Sequence, residues 1–396
     1  MRFLIVNADY PAFLQWLYAG HPGLEERPFA EQMRVRMASL MGVADFHSNA
    51  LRELGHEAYD VHLNNAPAQR AWAREHGVAV EEDVGRSRWW QQWLQPAKRL
   101  AARTPLRHFK SRLRPVVSRL VPSGSWLDAV FAGQVRHYQP DVLLIQAMAG
   151  VKTHLLRELK PRVRLLVGEI SSPLPVGEDL RCYDLVVSSL PGIVTRMRER
   201  GVNSQLHRLA FDPRVVEKLG DEQGSPIQVS FVGSLFAVHS ERIRFLEDVC
   251  RRLPLSVWGP GVEQLRSRSP LRACYRGQAW GVDQYRVLAR SQVTLNYHID
   301  VAGSYANNLR LYEATGVRTC LLTDWKVNLS DLFQEDVEIV AYRSADECVE
   351  KTLYLLEHED ERQAMADAGQ RRTLRDHTYA QRVGKLVQAV RSLLSE

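Results

Sequence analysis

The residues whose types and spacing suit chemistry lie together in 293–324, which reads VTLNYHIDVAGSYANNLRLYEATGVRTCLLTD. An apolar, β-branched run ends at Asn296 and His298, small residues follow, and a helical pattern sets in near Asn307 and Asn308. Arg310 and Glu313 stand three residues apart, so a helix places them on one face. Gly316 closes that helix, and a second apolar run, 319–322, leads to Thr323 and Asp324. A helix start offers free N–H groups and the positive end of the dipole, which suit a diphosphate. An arginine beside it can neutralise a leaving phosphate, and a carboxylate one turn on can accept both hydroxyls of a ribose. Phosphate plus ribose is the signature of a nucleotide. An R-x-x-E pair alone is more often a surface ion pair; its setting makes this one informative.

A second group follows the run 228–232. There Gly233 and Ser234 form a turn that lets backbone approach a ligand, and His239 and Arg242 open a helix as cationic donors to phosphate. The plainer reading is a strand–helix turn carrying two solvent-facing polar residues. Tyr275, Arg276 and Gly277, with Trp280 and Gly281, can wall a base or simply pack in a core turn. No Asp-x-Asp occurs in the chain, although holding a divalent ion against a diphosphate calls for such a pair. The acidic run 357–361 (EHEDE) reads as an exposed helix start, and no His or Cys spacing suits zinc. The expectation is no metal and no cofactor, with arginine, histidine and helix dipoles neutralising charge.

Strands and helices must alternate to position these residues. Strand-like runs fall at 3–6, 58–63, 142–145, 165–167 and 185–187, then at 228–232, 256–258, 293–297, 319–322 and 338–341. Helical patterns fill the spaces, and the polar stretch 211–226 divides the two sets. This is the pattern of an α/β chain with two doubly wound sheets, whose ligands bind outside the carboxyl ends of the strands. Thr378 reads as the cap of a last helix through Val383, Leu386, Val390 and Leu393. In the first half, the loops after strands offer Asp9, Asp45, His47 and Glu169 as candidates for a general base. For each of them a cap, turn or buried hydrogen bond is the more ordinary role.

With these residues in view, the second half resembles the nucleotide-binding domain of GT-B glycosyltransferases. More narrowly, it resembles the group of the spore-maturation protein CgeB with its glycosyl transferases group 1-like domain. The likeness rests on the Gly233-Ser234 turn with His239 and Arg242, on VTLNYH, and on 307–316 followed by LLTD. It continues through Ala368-Gly369-Gln370, His377-Thr378-Tyr379 and Arg382. It is good over 228–383 and weaker before that. The resemblance implies two Rossmann-like domains facing across a cleft, with 1–215 as acceptor domain, 226–378 as nucleotide-sugar domain and 379–396 as a helix packing back on the first. It implies metal-independent transfer of a sugar, hexosyl or related, from a nucleotide-diphosphate sugar to a glycan, lipid-linked or protein acceptor, with retention favoured over inversion. Glu313 would bind ribose, the backbone at 306–308 the diphosphate, and Arg310 or Arg242 the leaving group. Gly233, Ser234, His239, Asn296, His298, Asn307 and Asn308 complete the implied donor site. The wider retaining enzymes use two glutamates with seven residues between them, and here the first position is Tyr305. An epimerase or hydrolase of the same fold, or a silent sugar-nucleotide-binding scaffold, are the alternatives.

The 396 residues, 45% hydrophobic and 25% charged, exclude a disordered chain. The net charge of +6 is local, because 84–127 holds ten basic residues and no acid, leaving 6 − 10 = −4 elsewhere. General nucleic-acid binding is thereby demoted. The basic stretch 86–119 carries a helical apolar stripe from Leu106 to Leu120, with Trp89, Trp90 and Trp93 upstream. Such a segment can lie on anionic membrane, dock an acidic partner, or be a solvated insertion. Five scattered cysteines without C-x-x-C, and no leader-like or membrane-spanning run, lead to the expectation of a cytoplasmic protein, with the inner membrane face as a peripheral option.

Overall fold

A computed structural model describes residues 1–80, 126–171, 179–220, 224–299 and 302–395. The basic stretch 86–119 lies outside the described residues. The chain forms two compact units. One comprises Met1–Arg36, His56–Val187 and Thr195–Gln205; the other comprises Met37–Gly55, Ser188–Val194 and Leu206–Glu396.

The first sheet runs in the order β2-β1-β3-β4-β5-β6. Its strands are β1 (Arg2–Asn7), β2 (Glu57–His62), β3 (Val142–Ile145), β4 (Leu165–Glu169), β5 (Leu185–Ser188) and β6 (Ser204–Leu206). The second runs β12-β11-β10-β7-β8-β9. It comprises β7 (Ile227–Val232), β8 (Leu255–Trp258), β9 (Tyr275–Gly277), β10 (Ser291–Asn296), β11 (Cys320–Asp324) and β12 (Val340–Tyr342). Every pairing in the second sheet is parallel, as are those joining β1 to β5. Strands buried on both faces read as unbroken apolar runs, which is why FLIV in β1 and VLLI in β3 stand out. All ten sequence-based runs fall on strands. The two that were missed, β6 (SQL) and β9 (YRG), are three-residue edge strands with no apolar run to mark them.

Strand order fixes where ligands can sit. Each sheet reverses direction of winding at one point, between β1 and β3 in the first and between β7 and β10 in the second. The carboxyl ends of β7 and β10 are Val232 and Asn296, which puts Gly233 and His298 immediately beyond that reversal. Buried hydroxyls tie these two strands together. Ser230 Oγ donates to Thr294 Oγ1 at 2.9 Å, and Ser291 Oγ lies 2.8 Å from Ser230 Oγ. The turn after β7 is closed by backbone against backbone. A Cβ on Gly259 would stand 2.0 Å from the Gly233 carbonyl oxygen, and Gly259 has φ +141°, so no larger residue fits.

The helix Arg310–Gly316 ends against an aromatic ring, because a Cβ on Gly316 would lie 2.7 Å from atoms of Phe211. The last helix, Tyr379–Ser395, packs on the helix Phe46–Glu53. At its start the Gln381 side chain does the capping rather than the Thr378 hydroxyl: Gln381 Oε1 accepts from the Thr378 N–H at 2.8 Å and from the Thr378 hydroxyl at 3.0 Å. Among the described residues no helix is long and apolar enough to cross a membrane.

Gly259→Ala should therefore destabilise the protein by about 3 kcal/mol or more in urea unfolding, from steric overlap and backbone strain together. Gly384→Ala, in the last helix with open space around it, should be neutral or stabilising by about 0.5–1 kcal/mol. Equal effects at the two positions would contradict the packing described for the turn.

Candidate active site

Arg310 is the first residue of its helix, rather than one turn in, and it organises the end of β7. Its Nη2 donates to the Val232 carbonyl at 3.1 Å. Its Nη1 stands 2.9 Å from Glu313 Oε2, yet makes no well-directed hydrogen bond there, so the contact is an ion pair. Glu313 is buried, and its Oε1 accepts from Gln284 Nε2 at 3.1 Å. Each carboxylate oxygen thus has one protein partner and retains acceptor capacity for a ligand.

The turn before this helix is held by asparagines. Asn308 Oδ1 accepts from the Leu311 N–H at 3.3 Å, and Asn308 Nδ2 donates to Asn296 Oδ1 at 2.7 Å. Asn296 Nδ2 donates to Thr323 Oγ1 at 2.9 Å, and the Tyr342 hydroxyl donates to the Asn296 carbonyl at 2.5 Å. The Ala306 N–H is taken by Asn328 Oδ1 at 2.6 Å, which removes it from a diphosphate-binding role. The amides at Asn307, Asn308 and Leu309 meet no acceptor among the described residues. Two helix-start expectations shift accordingly: the helix begins three residues later than the pattern suggested, and 307–309 form the turn that carries the open amides.

Arg242 lies across the same strand ends. Its Nη2 donates to the Tyr297 carbonyl at 2.9 Å and its Nη1 to the Ser234 carbonyl at 3.4 Å, with the guanidinium 5.8 Å from the Phe231 ring centroid. It thereby joins the Gly233-Ser234 turn to the residue before His298. His239 is half-buried and immediately precedes the helix Ser240–Val249 without capping it. His298 is buried, and Asp324 at the end of β11 accepts from its ring Nδ1 at 2.7 Å. The structure therefore brings Gly233, Ser234, Arg242, Asn296, His298, Asn308, Arg310 and Glu313 to the carboxyl ends of β7, β10 and β11.

The base candidates of the first half have other occupations. Asp9 is buried in the first unit, with Arg36 Nη2 at 2.5 Å and His62 Nδ1 at 2.9 Å. Burial opposes its ionisation, but His62 and Arg36 outweigh burial and hold the carboxyl well below the usual range. Such a group anchors a loop and is a poor proton acceptor. Asp45, in the second unit, pairs with Arg214 at 2.9 Å, and Arg214 also binds Asp212 at 2.7 Å. Glu169, at the end of β4, accepts from Gln146 Nε2 at 2.6 Å. His47 is buried on the helix Phe46–Glu53, with its ring 5.1 Å from that of Tyr379.

Residues that carry the site without any sequence signal are Gln284 and Asn328. Gln284 lies within the ordinary helical pattern VDQYRVLA, and Asn328 in a loop after β11, so only tertiary placement reveals them. Asp324 was visible as the end of LLTD, but its bond to His298 was not. The tail residues are structural. His377 Nε2 contacts the Leu332 carbonyl at 2.8 Å, Arg382 Nη2 contacts His377 Nδ1 at 2.8 Å, and Gln370 donates to the Gly316 carbonyl at 3.0 Å.

Residues 242–388 match the protein family described as glycosyl transferase-like. Solved structures resemble the whole chain at low identity. HepE from Anabaena, in complex with UDP-glucose, is 12% identical with a TM-score of 0.56, over 99% of this chain and 100% of that one. A glycosyltransferase from Rickettsia africae is 9% identical with a TM-score of 0.54, over 99% and 98%. AviGT4, a glycosyltransferase involved in avilamycin A biosynthesis, is 13% identical with a TM-score of 0.53, over 100% and 98%. No curated protein matches the sequence. At such identities the likeness is one of fold: the chain has the two Rossmann-like sheets of the GT-B architecture.

Two stability effects follow. Arg36→Met leaves the Asp9 charge buried beside His62 alone and should cost about 3–5 kcal/mol by urea unfolding; a cost under about 1 kcal/mol would show that the pair is not buried as described. Burial, with help from Arg382 and Arg372, pushes the His377 ring down to about 4. The unfolded chain protonates this histidine near pH 6.5 while the fold keeps it neutral, so stability should fall as pH drops from about 6.5 toward 4. His377→Gln should flatten that slope in melting curves, and an unchanged slope would contradict the assignment.

Proposed function

We propose that the chain is a glycosyltransferase that binds a nucleotide-diphosphate sugar in its second unit and moves the sugar to an acceptor. The observation that carries this is the convergence of Arg310, Glu313, the open amides at 307–309 and the Gly233 turn at the point where the second sheet reverses. The match of 242–388 to a glycosyl transferase-like family and the GT-B fold support it. The amides take the diphosphate, Arg310 opposes the charge that develops on it as the sugar leaves, and Glu313 accepts ribose hydroxyls. Arg242 and Gly233 shape the wall against which the phosphates lie. Because HepE binds UDP-glucose, uridine nucleotides are the first donors to test.

The narrower likeness to the CgeB-type group rests on 307–316, LLTD and the tail around His377, and the structure-level matches named above stop at the GT-B class. In this reading the first unit, at the carboxyl ends of β1 and β3, serves the acceptor, which is a glycan, a lipid-linked sugar or a protein. The basic stretch 86–119 supports an acceptor or surface that is anionic, as a membrane leaflet is. Transfer needs no metal here, since arginine and backbone amides supply the positive field.

Glu313→Gln keeps the shape of the side chain and removes its charge. It should weaken binding of the nucleotide sugar by about 1–3 kcal/mol in titration calorimetry while circular dichroism stays native. Unchanged affinity would remove Glu313 from the ribose, and no binding of any uridine, guanosine or thymidine diphosphate sugar by the unaltered protein would overturn the donor site itself.

A further inference from the structure

The ring of His298 has one nitrogen committed and one open. Its Nδ1 lies 2.7 Å from Asp324 Oδ1, and its backbone N–H reaches the same oxygen at 2.9 Å. An ionised carboxylate only accepts, so Nδ1 carries a proton, and in the neutral ring Nε2 then presents the lone pair. The carboxylate is fixed from its other side, where Lys326 Nζ stands 3.2 Å from Asp324 Oδ2 and donates to the Gly303 carbonyl at 3.0 Å. Burial works against ionisation of Asp324, but its contacts with His298, and after them with Lys326, prevail and hold its carboxyl below the ordinary range.

The His298 side chain is fully buried, and Nε2 has no hydrogen-bond partner among the described residues. A buried polar atom left in that state is costly, and its position is informative. It belongs to the residue two beyond β10, beside Asn296 and Arg242, where the second sheet reverses. What fills the lone pair must donate a hydrogen. Phosphate oxygens cannot, whereas sugar hydroxyls can.

Resting on the donor site proposed above, we infer that His298 Nε2 accepts a hydroxyl of the donor's sugar, with Asp324 as the positioning residue that fixes the tautomer. The site then recognises the transferred sugar separately from the nucleotide that carries it. Glu313 and the open amides hold the nucleotide; His298 reads what is attached to it.

Titration calorimetry with UDP, GDP and dTDP and their glucose conjugates tests this in the full chain. His298→Phe removes the acceptor and keeps an aromatic ring. It should weaken the nucleotide sugar about tenfold and leave the nucleotide diphosphate unchanged, which also certifies the fold. Equal weakening of both ligands would assign His298 to the nucleotide or to the scaffold, and no change in either would remove it from the site; both results overturn the inference. If the unaltered protein binds none of the six, the donor-site reading fails first and this one with it. Nitrogen NMR of the unaltered protein is independent of the variant's folding: the His298 Nε2 resonance should move with the sugar nucleotide and not with the nucleotide alone, and the reverse pattern contradicts the proposal.

Discussion

The second unit depends on one guanidinium. Arg310 reaches back from the start of its helix to the Val232 carbonyl at the end of β7 and forward to Glu313, so a strand end and a helix start are held by a single charged group. Its Nε has no hydrogen-bond partner among the described residues, and the group is mostly buried. A buried cation paired with one carboxylate and one carbonyl is under-coordinated, and an anion placed beside it completes its shell. The physics that makes the unliganded site costly is the same physics that makes it receptive to phosphate.

Around that charge the fold supplies rigidity from backbone and small side chains. The Gly233 and Gly259 backbones touch, serine and threonine hydroxyls bridge β7 and β10, and an asparagine chain runs from Thr323 through Asn296 and Asn308 to the Leu311 amide. These are neutral bonds in a sheet core, so they fix geometry without changing the local charge. In the first unit the balance is different, because Asp9, the acid nearest the end of β1, is spent on Arg36 and His62. That carboxylate is an anchor for a loop.

Much of this was legible in the sequence for a definite reason. Parallel strands buried on both faces must be apolar throughout, so ten of twelve strands announced themselves, and the reversal of strand order explained why residues after β7 and β10 matter. Arg310 and Glu313 were legible because helical spacing forces them together. What was hidden depends on contacts between elements distant in sequence: Gln284 on Glu313, Asn328 on Ala306, Asp324 on His298. No local pattern marks a side chain whose partner lies 22 to 29 residues away. The exact start of the Arg310 helix was also hidden, since Asn307 and Asn308 suit a turn and a helix cap equally.

The central claim is that nucleotide phosphates sit at the start of the Arg310 helix against the turn after β7. Hydrogen–deuterium exchange with and without UDP-glucose locates them without any substitution. Protection concentrated in 232–235 and 306–313 is the result this account requires. Protection confined to other strand ends, with those two segments exchanging as in the free protein, would contradict it.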